Sequence, residues 1–223
     1  MEIVPGVHQV DGVNAHSFIV IGSDGASVID AGLFGSVKKI IKYVEKIGLK
    51  PSDIKTIVLT HPHIDHAGSL SSLKKATCAK VAIHKEDADY LSGKKKQEIK
   101  AKGLRPMLLR LLMRFMAPKP VEPDILLTDG DRIGGLTVIH TPGHTPGSIS
   151  LYDPDRKIIY VGDALRYVNG KIQGPPGFTP DPETAKRSIK KIADLDYEIM
   201  LGGHGDVLRP KASEKVREFY SAL

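Results

Sequence analysis

Three histidines and an aspartate fall within six residues, His61-Pro62-His63-Ile64-Asp65-His66, directly after the run Ile57-Val58-Leu59-Thr60. Core packing does not call for such a cluster. Imidazole nitrogens and carboxylate oxygens are the donors that suit zinc and its borderline neighbours, so the cluster reads as metal binding. Three more polar residues stand just after apolar runs. His144 lies in Thr141-Pro142-Gly143-His144-Thr145-Pro146-Gly147-Ser148, Asp163 follows Ile158-Ile159-Tyr160-Val161-Gly162, and His204 follows Ile199-Met200-Leu201-Gly202-Gly203. The neighbouring glycines let backbone approach a shared centre. If the strands lie side by side, His61, His63, Asp65, His66, His144, Asp163 and His204 meet at one sheet edge. Seven ligands exceed what one tetrahedral zinc accepts, which implies two divalent metal ions: zinc first, with iron or manganese as alternatives.

The elements that must position these residues alternate along the chain. Ser17 to Ile21 and Ala26 to Asp30 flank the turn Gly22-Ser23-Asp24-Gly25, a hairpin pattern. Ser36 is placed to cap a helix in which Val37, Ile40, Ile41, Val44 and Ile47 recur at helical spacing, with Gly48 at its end. Lys55 to Thr60 reads as a buried strand ending at the cluster, followed by a short helix over about 67–75 and the strand Val81-Ala82-Ile83. Strands return at Leu136 to His140, Ser148 to Tyr152 and Lys157 to Val161. Asp181-Pro182 opens a helix with an N-cap carboxylate, Glu198 to Leu201 is a last strand, and Ala212 to Tyr220 a closing helix. Strands-then-helix occurs in both halves, which suggests two similar halves back to back.

At 223 residues the chain fits a single domain spanning 1–223. No apolar run is long enough to span a membrane and no secretory leader is visible, so a cytoplasmic location is expected. The single cysteine, Cys78, excludes an intramolecular disulfide framework and reads as a buried small residue. Net charge is +6, but residues 92–119 carry nine Lys/Arg against Glu98 alone, a local +8 that leaves −2 for the remainder. The basic character is therefore local, and the overall balance makes no case for a nucleic-acid partner. Leu104, Leu108, Leu111, Leu112 and Phe115 line one side of a helix in this insertion, thickened by Met107, Met113 and Met116. Core packing, a lid over the site and a homodimer contact through 104–116 are its candidate uses.

The ordered set His-x-His-x-Asp-His, then His, Asp and His, resembles the metallo-β-lactamase fold superfamily from about Asp30 to His204. That resemblance implies an α/β fold, a four-layered αββα sandwich with metals at one edge of two sheets, here carrying a basic helical insertion near 92–119. It also implies that His61, His63 and His144 bind the first metal, that Asp65, His66 and His204 bind the second, and that Asp163 bridges them. Asp30 matches the family's early aspartate, which supports the site from behind. The best-known β-lactamases carry cysteine where this chain has Asp163, and the flavodiiron branch has Glu where this chain has His63. The set looks most like the glyoxalase II-like hydrolases, a group that includes lactonases. Glyoxalase II usually adds a helical glutathione-binding extension, whereas about nineteen residues follow His204 here. Acyl-homoserine lactonases place a Tyr three residues past the bridging Asp, where this chain has Arg166.

The expected activity is hydrolysis of a small ester, thioester or lactone by a hydroxide held between two metals, with Asp65 as the catalytic residue that handles the proton. Tyr167, Asn169 and Lys171 follow Asp163 in a loop expected to overhang the metals, and with Phe178 they are the candidate substrate contacts; His16 is a candidate for the site mouth. The rivals are a phosphodiesterase or RNA-processing nuclease of the same fold, an iron-dependent persulfide dioxygenase, and a metal-stabilised interaction module. No Gly-x-Ser-x-Gly nucleophile elbow competes.

Overall fold

The computed structural model describes residues 1–95, 119–177 and 179–223. In chain order the elements are β1 (Glu2–Val4), β2 (Val7–Gln9), β3 (Phe18–Gly22), β4 (Gly25–Ile29), α1 (Ser36–Lys46), β5 (Ile54–Val58), α2 (Ile64–Ala67), α3 (Leu70–Thr77), β6 (Lys80–His84) and α4 (Ala88–Leu91). The second part holds β7 (Ile125–Leu127), β8 (Arg132–Ile133), β9 (Leu136–His140), β10 (Ile149–Asp153), β11 (Ile158–Gly162), β12 (Arg166–Val168), β13 (Lys171–Gln173), α5 (Pro182–Ala193), β14 (Ile199–Gly202) and α6 (Ala212–Ser221). The helix expected over 104–116, with its lid and dimer readings, lies outside the described residues.

Among the described residues β1 to β7 form one sheet in chain order, antiparallel up to β4 and parallel beyond it. A second sheet runs β14-β11-β10-β9-β8, with β11 and β14 parallel. Side chains alternate along each strand, so successive residues enter different layers. Val28 and Ile57 face one way to meet Ile40 and Val44 of α1 and Leu70 and Leu73 of α3. Their neighbours Ile29 and Val58 face the other way, against Leu136, Val138, Leu151, Ile158 and Tyr160 of the second sheet. Ile159, Val161 and Met200 look out of the second sheet onto Ile189 and Ile192 of α5 and Val216 of α6. Three apolar seams between four layers make an αββα sandwich. Among the described residues no helix is long and apolar enough to cross a membrane.

Three local expectations need correction. Ser36 does not cap α1: Gly35, at φ 83°, occupies the cap position, and Ser36 is inside the helix with its amide donating to Ser69 Oγ at 3.0 Å. Glycine takes the left-handed conformation that the chain needs to enter this helix from a tight loop. Cys78 is exposed, not buried, because it closes α3 in the left-handed region at φ 58° with its side chain off the apolar face. The short helix expected over about 67–75 is split into α2 and α3 and begins earlier, at Ile64. Asp65 and His66 sit on the one-turn helix α2, which starts immediately after the extended residue His63.

Candidate metal centre

The centre starts from Asp30, just past β4. Its φ of 58° lies in the left-handed region, a conformation that costs a non-glycine residue about 1 kcal/mol or more. Hydrogen bonds hold it there. Thr60 donates its amide to Oδ1 at 2.8 Å and its hydroxyl to Oδ2 at 2.8 Å, and His66 Nδ1 donates to Oδ2 at 2.8 Å. With Nδ1–H committed to Asp30, the Nε2 of His66 faces inward, as a ligand nitrogen must. The turn of α2 is fixed at both ends: the His66 amide donates to His63 O at 3.0 Å, and its carbonyl accepts from the Ala31 amide at 2.7 Å.

The remaining side chains arrive from the second sheet. His144 follows β9, Asp163 follows β11 and His204 follows β14. His144 Nε2 comes within 2.9 Å of His63 Nδ1, while its Nδ1 lies 3.3 Å from Thr179 Oγ1. Asp163 presents one oxygen to each side of the cluster. Oδ1 is 3.3 Å from His66 Nε2 and 3.7 Å from His204 Nε2; Oδ2 is 3.5 Å from His144 Nε2. Asp65 Oδ2 lies 3.1 Å from His204 Nε2. Gly203 allows this convergence, since a Cβ there would stand 2.6 Å from His66 Cε1 and 2.7 Å from Asp163 Oδ1.

Three overlapping groups result: His61 with His63 and His144, His61 with His66 and Asp163, and Asp65 with His66 and His204. In each the donor atoms lie within 4.8 Å of one another. The residues fit metal ions on a second count. His61 is completely enclosed, yet its Nε2 has no hydrogen-bond partner among the described residues. A buried polar atom left unpaired costs about 1–3 kcal/mol, and a cation in the centre would satisfy it.

The electrostatics point the same way. Burial, followed by the neighbouring imidazoles, pushes His61 well below the ordinary histidine range and His63 down to about 4. Burial lowers His144 as well. These rings are therefore neutral at pH 7, the state in which imidazole ligates. Burial also works against a charge on His66, but Asp30 and Asp163 outweigh it and raise that ring well above its usual range. Burial pushes Asp65 and Asp163 upward and the facing histidines pull both below the usual carboxylate range. A field that holds two carboxylates ionised and favours a proton between them also favours a cation.

All seven ligand candidates thus meet in one place, with Asp30 behind His66. The candidate substrate residues lie on the segment that follows Asp163. Tyr167 packs against the seam between the second sheet and α5/α6, Asn169 occupies the turn of the β12–β13 hairpin at φ 51°, and Lys171 is exposed. The hairpin replaces the loop expected after Asp163 and is tied to the His204 segment by the Asp206 amide, which donates to Tyr167 O at 2.7 Å. Phe178 lies outside the described residues. His16 is anchored beside the centre: its amide donates to Gly203 O at 2.8 Å and its Nδ1 lies 3.1 Å from Gly202 O. Sequence reasoning missed Thr60 and Thr179. Thr60 carries a positional signal, directly preceding the cluster. Thr179 carries none.

Fold and site together define a metal-dependent hydrolase of αββα architecture. The family model of the metallo-beta-lactamase superfamily matches residues 10–204, and the chain belongs to that superfamily. It is 34% identical to the probable metallo-hydrolase YflN of Bacillus subtilis, over 92% of this chain and 85% of that one. It is 31% identical to the human acyl-coenzyme A thioesterase MBLAC2, over 86% and 74% respectively. The hydroxyacylglutathione hydrolase GloC of Haemophilus influenzae is 30% identical, over 81% and 80%. Among solved structures, a HARLDQ-motif mutant of a metallo-beta-lactamase from Cronobacter sakazakii superposes with a TM-score of 0.76 at 25% identity, covering 100% of this chain and 94% of that one.

One consequence concerns Asp30. Asp30→Ala frees the His66 ring and leaves a buried imidazole without its partner, so zinc affinity is expected to fall about 10–100-fold. Zinc titration against a chromophoric chelator measures this, and unchanged affinity would show that Asp30 does not orient His66.

Proposed function

We propose that the protein is a dinuclear hydrolase of small acyl substrates, with the sandwich acting as one domain and a thioester as the preferred substrate. The carrying observation is Asp163, with Oδ1 3.3 Å from His66 and Oδ2 3.5 Å from His144, which suits a carboxylate shared by two ions. His61, His63 and His144 would hold one ion, and Asp65, His66 and His204 the other. Ions so held would lower the pKa of water toward 7 and polarise an acyl carbonyl.

The chain's own groups do the rest. Asp65 is half-buried, kept ionised by His204 and His66, and faces the centre. It would accept the proton of the attacking water as the new C–O bond forms, and return it to the leaving sulfur or oxygen as the acyl bond to that leaving group breaks. Asp30 and Thr60 fix His66 from behind, and Thr179 contacts the far nitrogen of His144, so the donors need little rearrangement. The thioester preference draws on the acyl-coenzyme A thioesterase relative. Tyr167, Asn169, Lys171 and Phe178 stay candidates for the substrate side.

A panel of an acyl-coenzyme A, a lactone and a bis-aryl phosphodiester, run on metal-quantified protein, tests this. Thioester turnover is expected with kcat/KM of about 10⁴ M⁻¹s⁻¹ or more, and the phosphodiester at least 100-fold below it. Preference for the phosphodiester would overturn the acyl assignment.

A further inference from the structure

A second buried carboxylate lies outside the ligand set. Asp87 ends the short turn that follows β6, at the rim of the first sheet, and is completely buried. Both its oxygens are used. Thr145 Oγ1 donates to Oδ2, and the Gly147 amide donates to Oδ1 at 3.0 Å. Thr145 is linked onward to Ser148, whose Oγ lies 2.7 Å from Thr145 Oγ1 and accepts from the Thr145 amide at 3.0 Å. Contact is so close that only glycine fits at 147: a Cβ would stand 2.7 Å from both Asp87 Cγ and Asp87 N. This turn, Thr145 to Ser148, begins at the residue after His144.

We propose that Asp87 is the positioning residue for His144, clamping the turn after it and thereby fixing the imidazole against His63. Asp87 belongs to the first sheet's side of the molecule and His144 to the second's. His63 and His144 must converge from those same two sides, and their facing nitrogens are 2.9 Å apart. Slippage between the sheets would open that pair, and the Asp87 bonds span the seam beside it. The loop is pinned elsewhere as well. Ser188 Oγ donates to Pro142 O at 2.7 Å, and His140 Nε2 lies 2.9 Å from Pro146 O. Those contacts come from the second sheet's own side; Asp87 reaches it from the first. Asp30 holds the His66 ring directly and Asp87 acts on His144 through its turn, so each half of the centre has its own buried carboxylate.

Placing a carboxyl here is costly. Burial pushes it up and the bonds from Thr145 and Gly147 pull it part of the way back, leaving it at about 6. The nearby group His84, Glu86 and His140 also has donor atoms within 4.8 Å of one another. It does not make a second metal site, because the two rings are stacked at 4.0 Å with planes 15° apart. Lone pairs in nearly parallel ring planes cannot converge on one ion. Here the pair acts as packing beneath the same loop.

The inference rests on His144 being a ligand, as proposed above, and the experiment separates the two. Wild type, His144→Ala, Asp87→Ala, Asp87→Asn and Thr145→Val are titrated with zinc against a chromophoric chelator, well below their melting temperatures. Asp87→Ala is expected to weaken one of two zinc ions about 10-fold and leave the other unchanged. Thr145→Val, which removes one of the two bonds without changing shape, gives a smaller loss of the same ion and decides the matter if Asp87→Ala does not fold. Asp87→Asn restores affinity, because its amide oxygen accepts from Gly147 and its NH2 donates to Thr145 Oγ1. If His144→Ala loses one ion while the foldable Asp87 and Thr145 variants bind both as wild type does, the positioning role is wrong and the ligand assignment stands. Equal weakening of both ions with a lowered Tm would reduce Asp87 to general structural support and also overturn it. If His144→Ala keeps both ions at wild-type affinity, both proposals fall.

Discussion

Asp163→Ala is expected to lower kcat/KM by about 10³-fold or more while leaving the fold intact. The substitution removes the carboxylate whose two oxygens face opposite halves of the cluster, 3.3 Å from His66 and 3.5 Å from His144. Without it five imidazoles and Asp65 remain, enough to hold one ion weakly but with nothing to join two. Metal content by elemental analysis should drop from about two per chain to one or fewer. The apolar seams do not involve this side chain, and His66 keeps its bond to Asp30, so the far-UV spectrum should be unchanged. A variant that kept two ions and activity within ten-fold of wild type would remove Asp163 from the bridging position.

Stripping the metal is expected to abolish turnover altogether. His61 and His63 are held neutral by burial, the state in which imidazole ligates a metal. Thorough chelation should therefore reduce hydrolysis to the buffer rate, with zinc restoring it. The same treatment should lower Tm. An ion present at 100 times its dissociation constant stabilises by about 2.7 kcal/mol, which for a chain of this size corresponds to roughly 5–10 °C. Turnover that survived chelation, with metal shown absent by elemental analysis, would refute the metallohydrolase assignment at its root.

Much of the architecture was legible in the sequence because strand alternation is a local property. Val28 and Ile29, or Ile158 and Ile159, reach opposite faces whatever else the chain does. The candidate ligands were legible for a related reason: imidazole and carboxylate groups placed after apolar runs have few other uses. Local reasoning failed where the deciding partner is distant. Ser36 looked like a cap, but Gly35 takes that place and Ser36 pairs with Ser69, thirty-three residues on. The loop expected after Asp163 folds back as the β12–β13 hairpin and is bonded to the strand-end segment carrying His204.

What the sequence determined by itself is therefore the inventory: apolar strands interleaved with amphipathic helices, and His61, His63, Asp65, His66, His144, Asp163 and His204 just after those strands. What only the tertiary structure decided is how that inventory is held. The left-handed turn at Asp30, the approach of Gly203 to His66 and Asp163, and the bonds from Thr145 and Gly147 to Asp87 all join residues far apart in the chain. None leaves a periodic trace, because a hydrogen bond across two sheets depends on where the sheets pack, and packing is a property of the assembled core.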